Sequence, residues 1–159
     1  MNAKLAYTRQ TKSPATACPL LAPPVLACEV WQLDGRSRQT PGEARTRVVE
    51  MSRVRGLAPE TVDDLAVIVS ELTTNAVVHA PNDTICVIVM LAEREAHVVV
   101  IDHGRNGPPC PGSPADEHGR GLPLVEALAD QLVRMPAEDG MAMWASVGSS
   151  PNPPSKSAT

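Results

Sequence analysis

The spacing of apolar residues predicts one strand and one helix in the first third of the chain. The short run over 28–33 fits a strand. After Thr40, apolar residues recur every three or four positions, the period of an amphipathic helix. The run Thr-Pro-Gly-Glu resembles a capping box, with Thr40 as the cap, Pro41 at the first helical position and Glu43 three residues after the cap. We therefore predict a helix capped by the Thr40 side chain.

A longer apolar period predicts a second helix from about Pro59 to just before Pro81. Three acidic residues stand near its start, where the helix dipole favours negative charge. The apolar residues that repeat at three- and four-residue steps are Val62, Leu65, Ala66, Ile68, Val69, Leu72, Ala76 and Val77.

The second half of the chain predicts most of a sheet. The β-branched runs over 84–91 and 96–102 flank a polar turn and predict a hairpin. A loop rich in Gly and Pro is predicted over 103–118, and a third helix over 121–130. Two short strands are predicted over 131–135 and 141–147. This order predicts an α+β fold, a two-layer sandwich with helices on one face of a mixed or antiparallel sheet.

The composition narrows the classes of function. The 159 residues fit one domain, and with 2% aromatic residues the core must be aliphatic. The same scarcity argues against stacking platforms for single-stranded nucleic acid, and the net charge of -4 argues against direct binding of a polyanion. No apolar run approaches the roughly 20 residues that span a bilayer. No cysteine pair has the C-x-x-C spacing of a zinc knuckle. We expect a soluble cytoplasmic protein that binds neither membranes nor nucleic acid directly.

The two ends of the chain lack the periodicity of its centre. Residues 1–26 and 149–159 are rich in Pro, Ser, Ala and Thr, so we predict a flexible N-terminal extension and C-terminal tail around a domain at 27–148. A secretory signal peptide is the alternative for the apolar stretch 18–28, but its prolines interrupt the apolar segment.

Three groups of residues could carry chemistry, and the first lies on the second helix. Glu71, Asn75 and His79 are spaced by four, so they form one stripe beside the buried face. A carboxylate and an amide in that position must be satisfied by some partner. A solvated polar stripe is the alternative.

The other two groups lie at the end of a strand and the start of a helix. The Asp102 carboxylate can accept a hydrogen bond from the exocyclic amine of a base such as adenine, and Gly104 lets a flat ligand approach. The alternative is an ordinary turn. The run Gly119-Arg120-Gly121-Leu122 opens the third helix, where free N–H groups form an anion site. A single G-x-G is weak support for such a site.

Together the three groups resemble the motifs of the histidine-kinase-like ATPase superfamily, which has the GHKL or Bergerat fold. The run ELTTNAVVHA from Glu71 resembles its N box. Asp102-His-Gly104 resembles the first glycine box, and GRGLPLVEALAD from Gly119 resembles the second. The subfamily that the chain most resembles is the anti-sigma-factor serine/threonine kinases of bacteria.

The resemblance implies an ATP and magnesium site with defined roles. Asn75 would ligate magnesium, Glu71 would polarise the attacking hydroxyl as the catalytic residue, and Asp102 would bind the adenine amine. The other nucleotide-binding positions that it implies are Gly104, Gly107, Gly119, Arg120, Gly121 and Leu122. The loop 105–118 would form a lid over the nucleotide. His79 would at most pack near the pocket, and Trp144 is expected in the core instead of beside the adenine.

The resemblance also implies a biological role. The protein would phosphorylate a serine or threonine of an anti-anti-sigma (STAS-like) partner, and it would sequester a sigma factor when that partner is absent. Relatives of this kind often dimerise, so a homodimer is a further expectation. The alternatives are a nucleotide-binding regulatory module without phosphotransfer and a protein-binding scaffold. The first alternative, a module without phosphotransfer, is supported by a departure from the family pattern. The first glycine box usually reads D-x-G-x-G, and here its second glycine, Gly107, is displaced by one residue. The acidic residues Asp116 and Glu117 in the lid support the same alternative, because they would repel the γ-phosphate.

Overall fold

The computed structural model describes residues 25–79, 83–103, 121–138 and 140–148. The elements in chain order are β1 (Val25–Asp34), α1 (Thr40–Val54), α2 (Pro59–His79), β2 (Thr84–Ala92), β3 (Glu95–Asp102), α3 (Gly121–Leu128), β4 (Gln131–Ala137) and β5 (Gly140–Gly148). The predicted α+β class and the predicted order of strands and helices are confirmed. The predicted C-terminal tail, and the predicted N-terminal extension up to residue 24, lie outside the described residues.

The five strands form one sheet in the order β1-β2-β3-β5-β4. Every described pairing is antiparallel, which selects one of the two predicted arrangements. The predicted hairpins β2–β3 and β4–β5 form, and β5 lies between β3 and the edge strand β4. Pro136 falls in β4, where an edge position spares the sheet a lost ladder hydrogen bond.

The helices cover one face of this sheet and enclose an aliphatic core. Leu65, Ile68 and Leu72 of α2 are buried, and burying each such side chain contributes about 1.5–3 kcal/mol. Alternate residues of the central strands meet them, because successive side chains of a strand point to opposite faces. These strand residues are Ile85, Val87, Val89, Leu91, Ala96, Val98 and Val100. Across the described parts of the chain, no helix is long and apolar enough to cross a membrane.

The predicted capping box at the start of α1 is wrong. The helix already includes Thr40, and Gln39 occupies the cap position without a side-chain cap bond. The buried Thr40 hydroxyl instead donates to the carbonyl oxygen of Asp34 at 2.5 Å. Glu43 is paired with Arg47 at 2.6 Å instead of reaching back to the cap. The side chain of Thr40 is therefore used to join α1 to the end of β1.

Two predicted boundaries also shift. The first strand begins at Val25, three residues before the predicted start, because it pairs with β2 as far as Ala92. The third helix ends at Leu128 instead of Asp130. The backbone N–H of Asp130 donates to Ser146 at 2.8 Å, and its carboxylate accepts from the N–H of Gly148. Residue 130 therefore belongs to the connection with the sheet.

Candidate functional site

The candidate site begins with two polar side chains on α2. Glu71 and Asn75 are half-buried, one turn apart, beside the core-facing stripe of the helix. The neighbouring hydroxyls of Ser70, Thr73 and Thr74 each donate to a helix carbonyl one turn earlier, at 2.6–2.7 Å. Within the described part of the chain, the side chains of Glu71 and Asn75 make no hydrogen bond or ion pair. The oxygens of these two side chains are therefore candidate ligand contacts.

The start of α3 approaches these two side chains closely. A Cβ atom added to Gly121 would stand 2.6 Å from Oε2 of Glu71 and 3.9 Å from Oδ1 of Asn75. The neighbouring Leu122 packs against the main core, and Val125 is fully buried, so α3 is anchored in this position. The structure thus brings two separate motifs together at the N-terminus of a helix. Whether Leu122 itself contacts a nucleotide stays a prediction.

Asp102 stands at the end of β3 on the side of the sheet that the helices cover. Ala96, Val98 and Val100 precede it at two-residue steps and belong to the helix-packed core, so alternation places Asp102 on the same face. It pairs with Ile85 of β2 and Met141 of β5, and it is half-buried. A half-buried carboxylate at the rim of the core is well placed to receive a polar edge of a ligand.

The remaining predicted positions divide into two groups. His79 is exposed at the end of α2. The positions Gly104, Gly107, Gly119 and Arg120 lie outside the described residues, as does the predicted lid, and their roles stay predictions.

Trp144 lies in the core and not beside Asp102, as expected. It is 3% exposed and packs with Val99 and Ala142 in a separate cluster. Its ring stacks on His97 with centroids 5.6 Å apart. His97 and Trp144 alternate with residues that face the helices, so this cluster occupies the opposite face of the sheet. The indole is therefore remote from the layer that contains Glu71 and Asp102.

Sequence reasoning missed Gly140, the first residue of β5. A Cβ atom at this position would overlap the backbone carbonyl of Asp102. The Glu-Asp-Gly run had indicated only a turn between two strands. A glycine in a predicted turn gave no signal that it touches a distant strand end.

The donor atoms of the site fit magnesium bound together with phosphates. Among the described residues no group of three or more His, Cys, Asp and Glu could hold a metal by itself. Mg²⁺ typically takes only one or two protein oxygens and completes its shell with phosphate oxygens and waters. The amide oxygen of Asn75, beside the Glu71 carboxylate, is a donor of that kind.

Comparison with known proteins identifies the family. The family model described as "Histidine kinase-like ATPase domain" matches residues 36–146. The chain belongs to the histidine kinase-like ATPase family. The match includes α2, the end of β3 and the start of α3.

Two known proteins illustrate the similarity. The serine-protein kinase RsbW of Oceanobacillus iheyensis is 33% identical over 108 residues, which cover 57% of this chain and 68% of the relative. The crystal structure of the RsbU and RsbW domains of Rv1364c from Mycobacterium tuberculosis superposes with a TM-score of 0.61 at 23% identity. The likeness covers 79% of this chain and 33% of that longer chain, and at this identity it supports the fold alone.

Proposed function

We propose that this protein binds ATP with magnesium and transfers the γ-phosphoryl group to a serine or threonine of a partner protein. The observation that carries the proposal is the close approach of the start of α3 to Glu71 and Asn75, since a Cβ atom added to Gly121 would lie 2.6 Å from Oε2 of Glu71 and 3.9 Å from Oδ1 of Asn75. It combines a helix N-terminus, which attracts phosphate, with an acidic side chain and an amide oxygen. The similarity to a serine-protein kinase supports the same reaction class.

The triphosphate would lie between α2 and the N-terminus of α3. Helix N–H groups would hold the phosphate oxygens, because they are unpaired donors at the positive end of the helix dipole. The Asn75 oxygen would help to bind magnesium, and the metal would neutralise charge on the phosphates. The Asp102 carboxylate would accept a hydrogen bond from the adenine amine and thereby select ATP over GTP.

Phosphoryl transfer needs mostly positioning and charge neutralisation. The hydroxyl oxygen of the partner would form a bond to the γ-phosphorus as the bond from that phosphorus to the bridging oxygen breaks. ADP leaves with the electron pair of the broken bond. The hydroxyl proton would pass to the carboxylate of Glu71, which lies close to the start of α3.

The partners follow from the subfamily that the sequence resembles. We propose an anti-anti-sigma (STAS-like) protein as the phosphate acceptor and a sigma factor as the alternative partner, with a homodimer as the working assembly. The function would be transcription regulation by partner switching in the cytoplasm.

The test has a binding step and a transfer step. Calorimetry with ATP should give saturable, magnesium-dependent binding that GTP does not match. Each STAS-domain protein of the same organism is then incubated with this protein and radiolabelled ATP. We expect the true acceptor to be labelled, and its variant with the acceptor serine or threonine changed to alanine should stay unlabelled. ATP binding with no labelled acceptor would favour the nucleotide-binding regulatory module. Absence of ATP binding would leave the protein-binding scaffold.

A further inference from the structure

The corner of the β4–β5 hairpin rests on the backbone that carries Asp102. Gly140 begins β5, is buried, and pairs with Ala137 where the hairpin closes. A Cβ atom at Gly140 would overlap the carbonyl oxygen of Asp102, and it would lie 2.8 Å from the Asp102 carbonyl carbon and 2.9 Å from Cα of His103. All three obstacles are backbone atoms, which cannot rotate out of the way as a flexible side chain can.

The requirement for glycine at this position comes from space and not from backbone conformation. Among the described glycines, only Gly56 has a positive φ. Register explains the close approach: Asp102 pairs with Met141, so the preceding residue of β5 faces the peptide that joins Asp102 to His103. Any side chain larger than that of glycine at residue 140 would therefore force β3 and β5 apart.

We infer that Gly140 is a positioning residue for Asp102 and so sets the preference for an adenine base. The inference rests on the proposed function. Carbon and oxygen atoms in contact need about 3.5 Å, so an alanine methyl would displace the Asp102 backbone by on the order of 1 Å. A hydrogen bond of about 2.9 Å stretched by that amount falls outside the bonding range. The amine of the base would therefore lose its acceptor.

The experiment compares ATP with inosine triphosphate, which carries an oxo group in place of the adenine amine. Calorimetry on the full chain should show that the wild-type protein prefers ATP. In Gly140→Ala the ATP affinity should fall by about 10- to 150-fold, the range for a hydrogen bond to a charged group. The affinity for inosine triphosphate should stay within a few-fold. The ratio of the two affinities is the informative quantity, because partial unfolding lowers both by the same factor.

Gly148→Ala is the matched control at the other end of the same strand. Its added Cβ would meet a carboxylate oxygen of Asp130 at 3.1 Å, which is a side-chain atom able to move. This variant should keep the wild-type ratio. A wild-type ratio in Gly140→Ala would overturn the inference while leaving the proposed function intact. A wild-type protein that binds no ATP would overturn both.

A second measurement uses the unaltered protein, in case Gly140→Ala does not fold. Hydrogen exchange with saturating ATP should slow the backbone amides of residues 101–103 and of 140–142 together. Saturating inosine triphosphate should slow both segments less than saturating ATP does, because it lacks the amine that would bond to Asp102. Protection of 101–103 by ATP without any protection of 140–142 would overturn the inference.

Discussion

Replacing Gly121 by alanine tests whether the start of α3 fixes the carboxylate of Glu71, the catalytic group that we propose. The added methyl would lie 2.6 Å from Oε2 of Glu71 and 3.6 Å from its Cδ. Because contacts between such atoms settle near 3.5 Å, the carboxylate must retreat by roughly 1 Å. The side chain of Glu71 can rotate, so the fold should tolerate the change. The backbone of Gly121 does not have a positive φ, and alanine favours helices by up to about 1 kcal/mol over glycine.

The expected effect is a loss of transfer without a comparable loss of binding. A misplacement of about 1 Å in a reacting group can cost about 100-fold in rate. We therefore expect Gly121→Ala to lower kcat for phosphate transfer by about 10- to 100-fold, while the Kd for ATP changes by less than about threefold. The transition temperature should be equal to or slightly above that of the wild-type protein. Single-turnover transfer to the identified acceptor and calorimetry with ATP measure the two quantities separately.

A double-mutant cycle gives the decisive comparison. If the methyl acts through the carboxylate, then Gly121→Ala should cost nothing further in a Glu71→Ala background. Gly42→Ala is the control, because its added Cβ meets no atom within 4 Å. Rate losses that multiply in the double variant would refute the proposed link between Gly121 and Glu71. A large loss of ATP affinity in Gly121→Ala would refute this link as well, since the methyl would then disturb the binding of the phosphates and not the position of the Glu71 carboxylate.

Three further outcomes test the other side chains. Glu71→Gln should bind ATP about as tightly as the wild-type protein and lower transfer by about 100-fold or more, as expected for loss of a general base; an unchanged rate in the same assay would contradict its role. Asp102→Asn should narrow the preference for ATP over GTP, because an amide offers one acceptor oxygen and adds donors. Competition binding with the two nucleotides measures this preference, and an unaltered preference would show that Asp102 does not contact the base. Burial lowers the pKa of His97 from 6.5, although Glu95 opposes the shift. As the pH falls, His97 of the unfolded chain is protonated before His97 of the folded protein. The contribution of His97 to the free energy of unfolding should therefore be greatest above pH 6.5 and should decrease as the pH falls below that value. Urea titrations should show a weaker decrease in His97→Phe, which also removes the buried, unpartnered Nδ1 atom; an equal decrease would assign the effect to other groups.

The sequence by itself determined the strands and helices and their order along the chain. The apolar period of α2 and the β-branched runs of β2 and β3 depend on neighbours in the chain, so they can be recognised before any tertiary contact is known. The same holds for the stripe of Glu71 and Asn75, because residues four apart share a helix face in any amphipathic helix. The low aromatic content likewise determined an aliphatic core.

Tertiary structure decided the features that join distant parts of the chain. Thr40 had the local pattern of a cap, but its hydroxyl donates to the carbonyl oxygen of Asp34. The close approaches of Gly121 to Glu71 and of Gly140 to Asp102 became visible only when packing and strand register brought these segments together. Local preferences are set within a few residues. A close approach between segments depends on the whole packed arrangement, and no periodicity in the sequence records it.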